Sequence, residues 1–306
     1  MVSIGDYTFN GCLGFTGELI IPSNVTNIGS HAFQACSGLT GDLVIPSTVI
    51  SIGDWAFANC TGLSGNLILS DGIQHIDEDA FSGCNFTGIL EIPRTVVDIG
   101  AAAFSSLDNV TDIFVSSDNS SYMDIDGVLF SHDGKILIQA PAGKRVKDYT
   151  IPASVTEINY AAFANCRYFS GDLIIPSNVT SIGDWAFSTC SGFTGNIILS
   201  SNLNKIGEGS FAYCFNITGG LVIPSYVTEI GSEAFKDCYK IKDIYISQSV
   251  ERIGVRAFCY NSYHVMSDCT IYGYSGSEAE RYAEDNGITF IGASEWPLGT
   301  LENLTY

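Results

Sequence analysis

The sequence predicts an α/β repeat solenoid of about ten coils with a parallel sheet on its concave side, and three periodic features carry that prediction. An Ala-Phe pair, or a close variant, ends at Phe9, Phe33, Phe57, Phe81 and Phe104, then at Phe163, Phe187, Phe211, Phe235 and Phe258, in steps of 24 or 23 residues. An isoleucine stands five residues before each of these phenylalanines, from Ile4 to Ile253. A cysteine follows three residues after the phenylalanine in eight of the ten coils; Leu107 and Asn261 hold the place in the other two. A unit of 24 residues cannot bury its apolar edge alone, so neighbouring units must stack.

One coil illustrates the physics. Gly41-Asp42-Leu43-Val44-Ile45-Pro46 alternates with period two, is rich in β-branched residues and stops at proline, which reads as a short strand. Leu43 and Ile45 point to the core and Val44 points away. Pro46-Ser47-Thr48 turns the chain, Val49 and Ile52 return inward, and Gly53-Asp54 offers a cap to an expected helical turn carrying Ala56, Phe57 and Cys60. Stacked strands then lie about 4.8 Å apart.

The period divides the chain. Residues 1–115 form a first block, 116–147 an insert where the repeat fails, 148–266 a second block, 267–292 a C-terminal cap and 293–306 a tail or linker. Residues 41–104 resemble 171–235 at an offset of about 130, as in Gly53-Asp54-Trp55-Ala56-Phe57 against Gly183-Asp184-Trp185-Ala186-Phe187, which points to a duplicated block. In the insert, Tyr122–Phe130 and Lys135–Ile138 read as two strands of a β-hairpin around Ser131-His132-Asp133-Gly134. In the cap, Ser277-Glu278-Ala279-Glu280 matches a capping box, Asn286-Gly287 suits a helix stop, and Ile288 to Ile291 adds a strand. The first coil starts without a strand before Ile4, so the natural chain is expected to extend upstream and this coil to fray.

Composition excludes several classes. With 33 acidic and 13 basic side chains the net charge is −20, which opposes binding to nucleic-acid phosphates. No run approaches the roughly 18 to 20 apolar residues of a membrane span, and the first residues lack signal-peptide character, so any export signal lies outside this chain. His31, His75, His132 and His264 are scattered, and no metal pair, nucleophile elbow or phosphate loop occurs. Asp124-Ile125-Asp126-Gly127 fails the calcium-loop pattern, since Tyr122 and Asp133 stand at the end positions, and it reads as a hairpin turn. No catalytic residue, metal or cofactor is expected.

The string Ile175-Pro176-Ser177-Asn178-Val179-Thr180-Ser181-Ile182-Gly183-Asp184-Trp185-Ala186-Phe187-Ser188-Thr189-Cys190 resembles the BspA-like leucine-rich-repeat surface proteins. Asp126-Gly127-Val128-Leu129-Phe130 in the insert and Tyr272-Gly273-Tyr274-Ser275-Gly276-Ser277 near the end are similar to that family too. The resemblance implies a leucine-rich-repeat right-handed superhelix. It further implies a secreted or surface-anchored protein of the kind found in gut and oral bacteria and in some mucosal protists. Those relatives adhere to host matrix proteins or other cells, and the family supplies no catalytic residues to carry over.

Two sets of residues are candidates for a role. Cys12, Cys36, Cys60, Cys84, Cys166, Cys190, Cys214 and Cys238 are expected to form a buried ladder of free thiols, because residues in neighbouring coils sit farther apart than a disulfide tolerates. Cys259 and Cys269 break the pattern and are the candidate pair for a bridge from the last coil to its strand. The strand residues that point away from the core are Ile20, Val44, Ile68, Glu91, Phe114, Thr150, Ile174, Ile198, Val222 and Tyr245. Most are apolar: either strands simply favour β-branched residues, or a contiguous exposed stripe marks a contact surface. Glu18, Asp42, Asn66, Asp112, Asp172, Asn196 and Asp243 would edge that stripe and suit an extended protein segment with basic flanks.

Charge is uneven as well: no Lys or Arg precedes Arg94, whereas cations crowd the insert and the last coils. That asymmetry fits a solvated surface or the steering of a basic partner. Sequons such as Asn24-Val25-Thr26 recur only because the repeat recurs. Three function classes follow: a non-enzymatic protein-binding module acting through the concave face, a structural spacer of a larger cell-wall protein, and a carbohydrate-active β-solenoid enzyme. The last needs clustered acids and cations on one sheet face, and this face is mostly aliphatic.

Overall fold

A computed structural model describes residues 2–259 and 268–292. The chain divides into two compact units, Met1–Arg145 with Asn159–Cys166, and Val146–Ile158 with Arg167–Tyr306. Each is a parallel-sheet solenoid. His264 and Asn261, and the tail 293–306, lie outside the described residues.

In the first unit the strands Val2–Ile4, Val25–Ile28, Ser51–Ile52, His75–Ile76 and Asp98–Ile99 pair in parallel, with Ile4, Ile28, Ile52, Ile76 and Ile99 in register. A second set of strands runs along another side of the coils, where Leu43–Ile45 pairs with Leu67–Leu69, and Thr87–Ile92 with Asn109–Val115. The core lies between the sets: Leu43, Ile45, Val49, Ile52, Ala56, Phe57 and Cys60 are fully buried, while Val44 is exposed. Period-two alternation on the strand thus separates core from solvent as the β pleat requires.

The expected helical turn is absent. Among the described residues the one α-helix is Glu278–Asn286, so the chain is poor in helix. Around each Ala-Phe pair the backbone instead alternates between right- and left-handed conformations; Trp55 (φ 57) and Asn59 (φ 59) flank Phe57, and Trp185 and Thr189 flank Phe187 in the same way. This alternation turns every second amide toward the next coil. Trp55, Phe57 and Asn59 donate to the carbonyls of Glu78, Ala80 and Ser82 at 2.8–2.9 Å, while Ala56, Ala58 and Cys60 close tight turns onto Gly53, Trp55 and Phe57. A helix would spend all its amides along its own axis and leave the coils unjoined on this side. The ladder between coils offsets the roughly 1–2 kcal/mol that each left-handed non-glycine residue costs.

The phenylalanine rings stack through these turns. In the first unit Phe33–Phe57 and Phe57–Phe81 centroids are 5.1 and 5.4 Å apart with the ring planes almost parallel; in the second, Phe187–Phe211–Phe235–Phe258 continue at 4.9–5.3 Å.

Residues 116–145 of the insert belong to the first unit and hold three strands where two were expected, while Val146–Lys147 joins the second unit. Tyr122–Ile125 and Val128–Ser131 pair antiparallel across Asp126-Gly127, both with positive φ (51 and 71), and Val128–Ser131 then pairs with Ile136–Gln139. Asp-Gly is the residue pair that such a two-residue turn demands. The insert also closes the coil before it: the Ile99 amide donates to the Tyr122 hydroxyl at 2.8 Å and the Val115 amide to Asp124 Oδ1 at 2.9 Å.

In the second unit Glu157–Ile158, Ser181–Ile182, Lys205–Ile206, Glu229–Ile230 and Arg252–Ile253 pair in parallel. A second set comprises Val146–Lys147, Phe169–Ile174 and Phe193–Ile198, and a third Leu221–Ile223, Asp243–Ile246, Thr270–Gly273 and Thr289–Gly292. The helix Glu278–Asn286 is capped by Ser277 and stopped by Gly287 at φ 66. A disulfide joins Cys259 to Cys269.

Candidate functional site

Parallel register places the outward strand residues in rows. In the first unit Ile20 is bridged to Val44, Val44 pairs with Ile68, and Glu91 pairs with Phe114. All five are exposed, Ile20 to 82%. In the second unit Ile174 pairs with Ile198, and Val222 with Tyr245. Ile174 is exposed and Ile198 and Val222 half-buried; Thr150 is exposed too but lies outside the strand of its coil, Val146–Lys147, and so is not a strand member of the row.

Tyr245 departs from the expected open row: it is only 7% exposed. The cause is Tyr272 on the neighbouring strand, whose ring stacks on it at 4.5 Å and whose hydroxyl donates to Asp243 at 3.2 Å. Tyr272 was missed as a continuation of the row, although Thr270-Ile271-Tyr272 repeats the alternation of Asp243-Ile244-Tyr245.

The acids beside the rows are mostly engaged. Asp42 Oδ1 accepts the Asn66 amide at 2.6 Å, Asp172 Oδ1 accepts the Asn196 amide at 2.7 Å, and Asp112 holds the Lys144 ammonium at 2.6 Å. These carboxylates join one coil to the next or anchor the insert, although Asp42 and Asp172 themselves stay exposed. Glu91 differs: among the described residues no donor or cation meets its carboxylate. A cavity of about 380 Å³ opens beside it, lined also by Phe114, Leu69, Asp71, Arg94 and Ser116. Within it Arg94 Nε pairs with Asp71 Oδ2 at 3.2 Å. Sequence reading missed Asp71, Arg94 and Ser116, because they sit in the turns beyond the strand ends and carry no periodic signal. A second cavity, of about 310 Å³, lies in the second unit against Lys205, Glu229 and Arg252, where Arg252 and Glu229 form an ion pair.

The eight repeat cysteines are free thiols, buried except for half-buried Cys12. Cys36, Cys60 and Cys84 donate their S–H to the carbonyls of Phe9, Phe33 and Phe57 in the preceding coil at 3.0 Å, and Cys214 and Cys238 do so to Phe187 and Phe211. Burial pushes the Cys36 thiol up to about 11 and Cys214 up to about 12. These two thiols therefore stay protonated at neutral pH and are poor nucleophiles, while the hydrogen bond with Cys84 pulls the Cys60 thiol down. Among the described residues no three His, Cys, Asp or Glu side chains converge as a metal set. No helix among them is long and apolar enough to cross a membrane.

Coils of this length, with short strands on two sides and a stacked turn around a shared apolar core, define a leucine-rich-repeat solenoid. The chain belongs to the BspA-type leucine-rich-repeat family, whose profile matches residues 2–136 and 139–264 in six copies. It is similar in structure to a leucine-rich cell surface protein from Faecalibacterium prausnitzii A2-165, with 30% identity and a TM-score of 0.77 over 92% of this chain and 78% of that one. The pneumococcal vaccine antigen PcpA shares the fold at 22% identity and a TM-score of 0.71, covering 89% of this chain and 78% of that one. A leucine-rich repeat protein from Eubacterium ventriosum ATCC 27560 does so at 23% and 0.56, over 79% of this chain and 82% of that one. None of the curated proteins compared with this chain matches it.

Proposed function

We propose that this chain is a non-enzymatic protein-binding module of a secreted or cell-surface protein, and that it adheres to host matrix proteins or other cells through the concave strand face. The observation that carries the reading is the run Ile20, Val44 and Ile68, exposed apolar side chains in register across three coils, with exposed Phe114 two coils further on beside Glu91. A soluble surface rarely tolerates such a row without a partner. The cell-surface relative from F. prausnitzii supports the location. A spacer role is the second reading, favoured by Asp42 and Asp172, whose carboxylates stiffen the coil stack.

The test is binding of the purified chain to a panel of immobilised host matrix and plasma proteins, with Val44→Lys/Ile68→Lys as control. Saturable binding that the double variant abolishes while its thermal unfolding is unchanged supports adhesion. Absence of binding across the panel transfers the weight to the spacer.

A further inference from the structure

We infer that Glu91 is a cation anchor on the exposed row of the first unit, taking an arginine side chain from an extended, otherwise apolar polypeptide segment of the partner. The inference rests on the protein-binding reading and names the partner's chemistry. Four observations lead to it.

First, Glu91 is the one charged member of the outward row in this unit; Ile20, Val44, Ile68 and Phe114 are apolar. Second, its carboxylate has no counter-charge, whereas Asp42 and Asp112 beside the row already hold an amide and an ammonium, and Asp71 holds Arg94. Third, Phe114 is its register partner on the adjacent strand and is 45% exposed, so an aromatic surface stands next to the carboxylate at the edge of a cavity of about 380 Å³. A guanidinium satisfies both at once, bonding a carboxylate through its fork and lying flat against a ring, which an ammonium does less well. Fourth, the chain carries nine carboxylates and no Lys or Arg before Arg94, so the field over this unit favours a cationic partner.

The row also sets the partner's shape. Four coil steps from Ile20 to Phe114 span about 19 Å at about 4.8 Å per step, the length of roughly six extended residues. The segment therefore presents apolar side chains within about four positions on one side of the arginine.

Selection of a random 12-residue peptide library displayed on phage, run in parallel on the full chain and on its Glu91→Gln, Glu91→Arg and Ile68→Lys variants, tests the inference. Glu91 is exposed and unpaired, so its replacement leaves the core intact, and thermal unfolding of each variant verifies this. The expected result is enrichment of peptides with one arginine flanked by apolar residues. A synthetic peptide of that sequence should bind Glu91→Gln roughly tenfold more weakly, and its Arg-to-Glu version should bind Glu91→Arg best. Winners without a basic position, or binding unchanged in Glu91→Gln while Ile68→Lys abolishes it, overturn the anchor and leave the binding face standing. Binding indifferent to both variants, or no enrichment on the wild-type chain, overturns both.

Discussion

The Tyr282 hydroxyl stands where a further coil would place a backbone carbonyl: the Phe258 amide donates to it at 3.1 Å, and it lies 3.3 Å from the Phe258 carbonyl, to which it donates in turn. One coil earlier, the Phe235 amide meets the Ala257 carbonyl at 2.9 Å. A side chain of the cap helix thus ends a backbone ladder. Glu278 does the same for the neighbouring strand, accepting the Ile253 amide at 3.4 Å.

Tyr282→Phe keeps the ring, which packs edge-on against Phe258, and removes only the hydroxyl. Two buried backbone groups lose their partner, so the variant should lose about 1–3 kcal/mol in urea unfolding. The Phe258 amide should also exchange faster. An unchanged midpoint together with unchanged protection would show that the hydroxyl is dispensable.

Thiol titration checks the buried ladder. At pH 8 a thiol-specific reagent should modify Cys12 promptly, and the seven buried thiols only after unfolding. The pH dependence has a definite sign. Cys36 and Cys214 are raised by burial from about 9 to about 11 and 12, so their protonated form is favoured in the native state. Their contribution to stability is fully present below pH 9 and is lost as pH rises through 11 to 12. Cys36→Ala should flatten that alkaline loss in the first unit; an equally steep loss in the variant would contradict the assignment.

Close approach of neighbouring coils requires glycine at one repeated place. A Cβ on Gly62 would fall 2.3 Å from the carbonyl oxygens of Leu39 and Ser37, backbone atoms that cannot yield without opening the stack. Gly14 has open space around it and an ordinary φ. Gly62→Ala should therefore cost about 2–3 kcal/mol or more, and Gly14→Ala should change stability by about 0.5–1 kcal/mol at most, in either direction. Equal denaturation midpoints for the two variants would refute this account.

Much of this architecture was readable before any coordinates. The 24-residue step, the strand alternation around Val44 and the buried places of Ile52, Phe57 and Cys60 follow from apolar spacing, which is a local property. The turn around Phe57 departs from the expected helix because its left-handed places are held by Trp55 and Asn59; glycine fills the equivalent places only at Gly11, Gly83 and Gly209, too seldom to stand out as a repeated signal. The outward positions of the row were visible in the same alternation, yet the closure of Tyr245 by Tyr272 depends on which strand follows it in space.

Periodicity alone was therefore enough to specify the repeat and the alternation of inward and outward residues along strands such as Leu43–Ile45, because a β pleat and a fixed coil length translate position directly into direction. The stacked structure decided everything that crosses from one coil to another. It set the amide ladder at the phenylalanine turns, the hydroxyl and carboxylate caps of Tyr122, Asp124, Glu278 and Tyr282, and the bonds that engage Asp42, Asp71 and Asp112 but leave the Glu91 carboxylate without one among the described residues. Apart from the Asp124 bond to Val115, nine residues away, and the Asp112 bond to Lys144, 32 away, those outcomes rest on hydrogen bonds between residues about 24 apart in sequence, whose partners are chosen by register and proximity and leave no mark in either residue's local pattern.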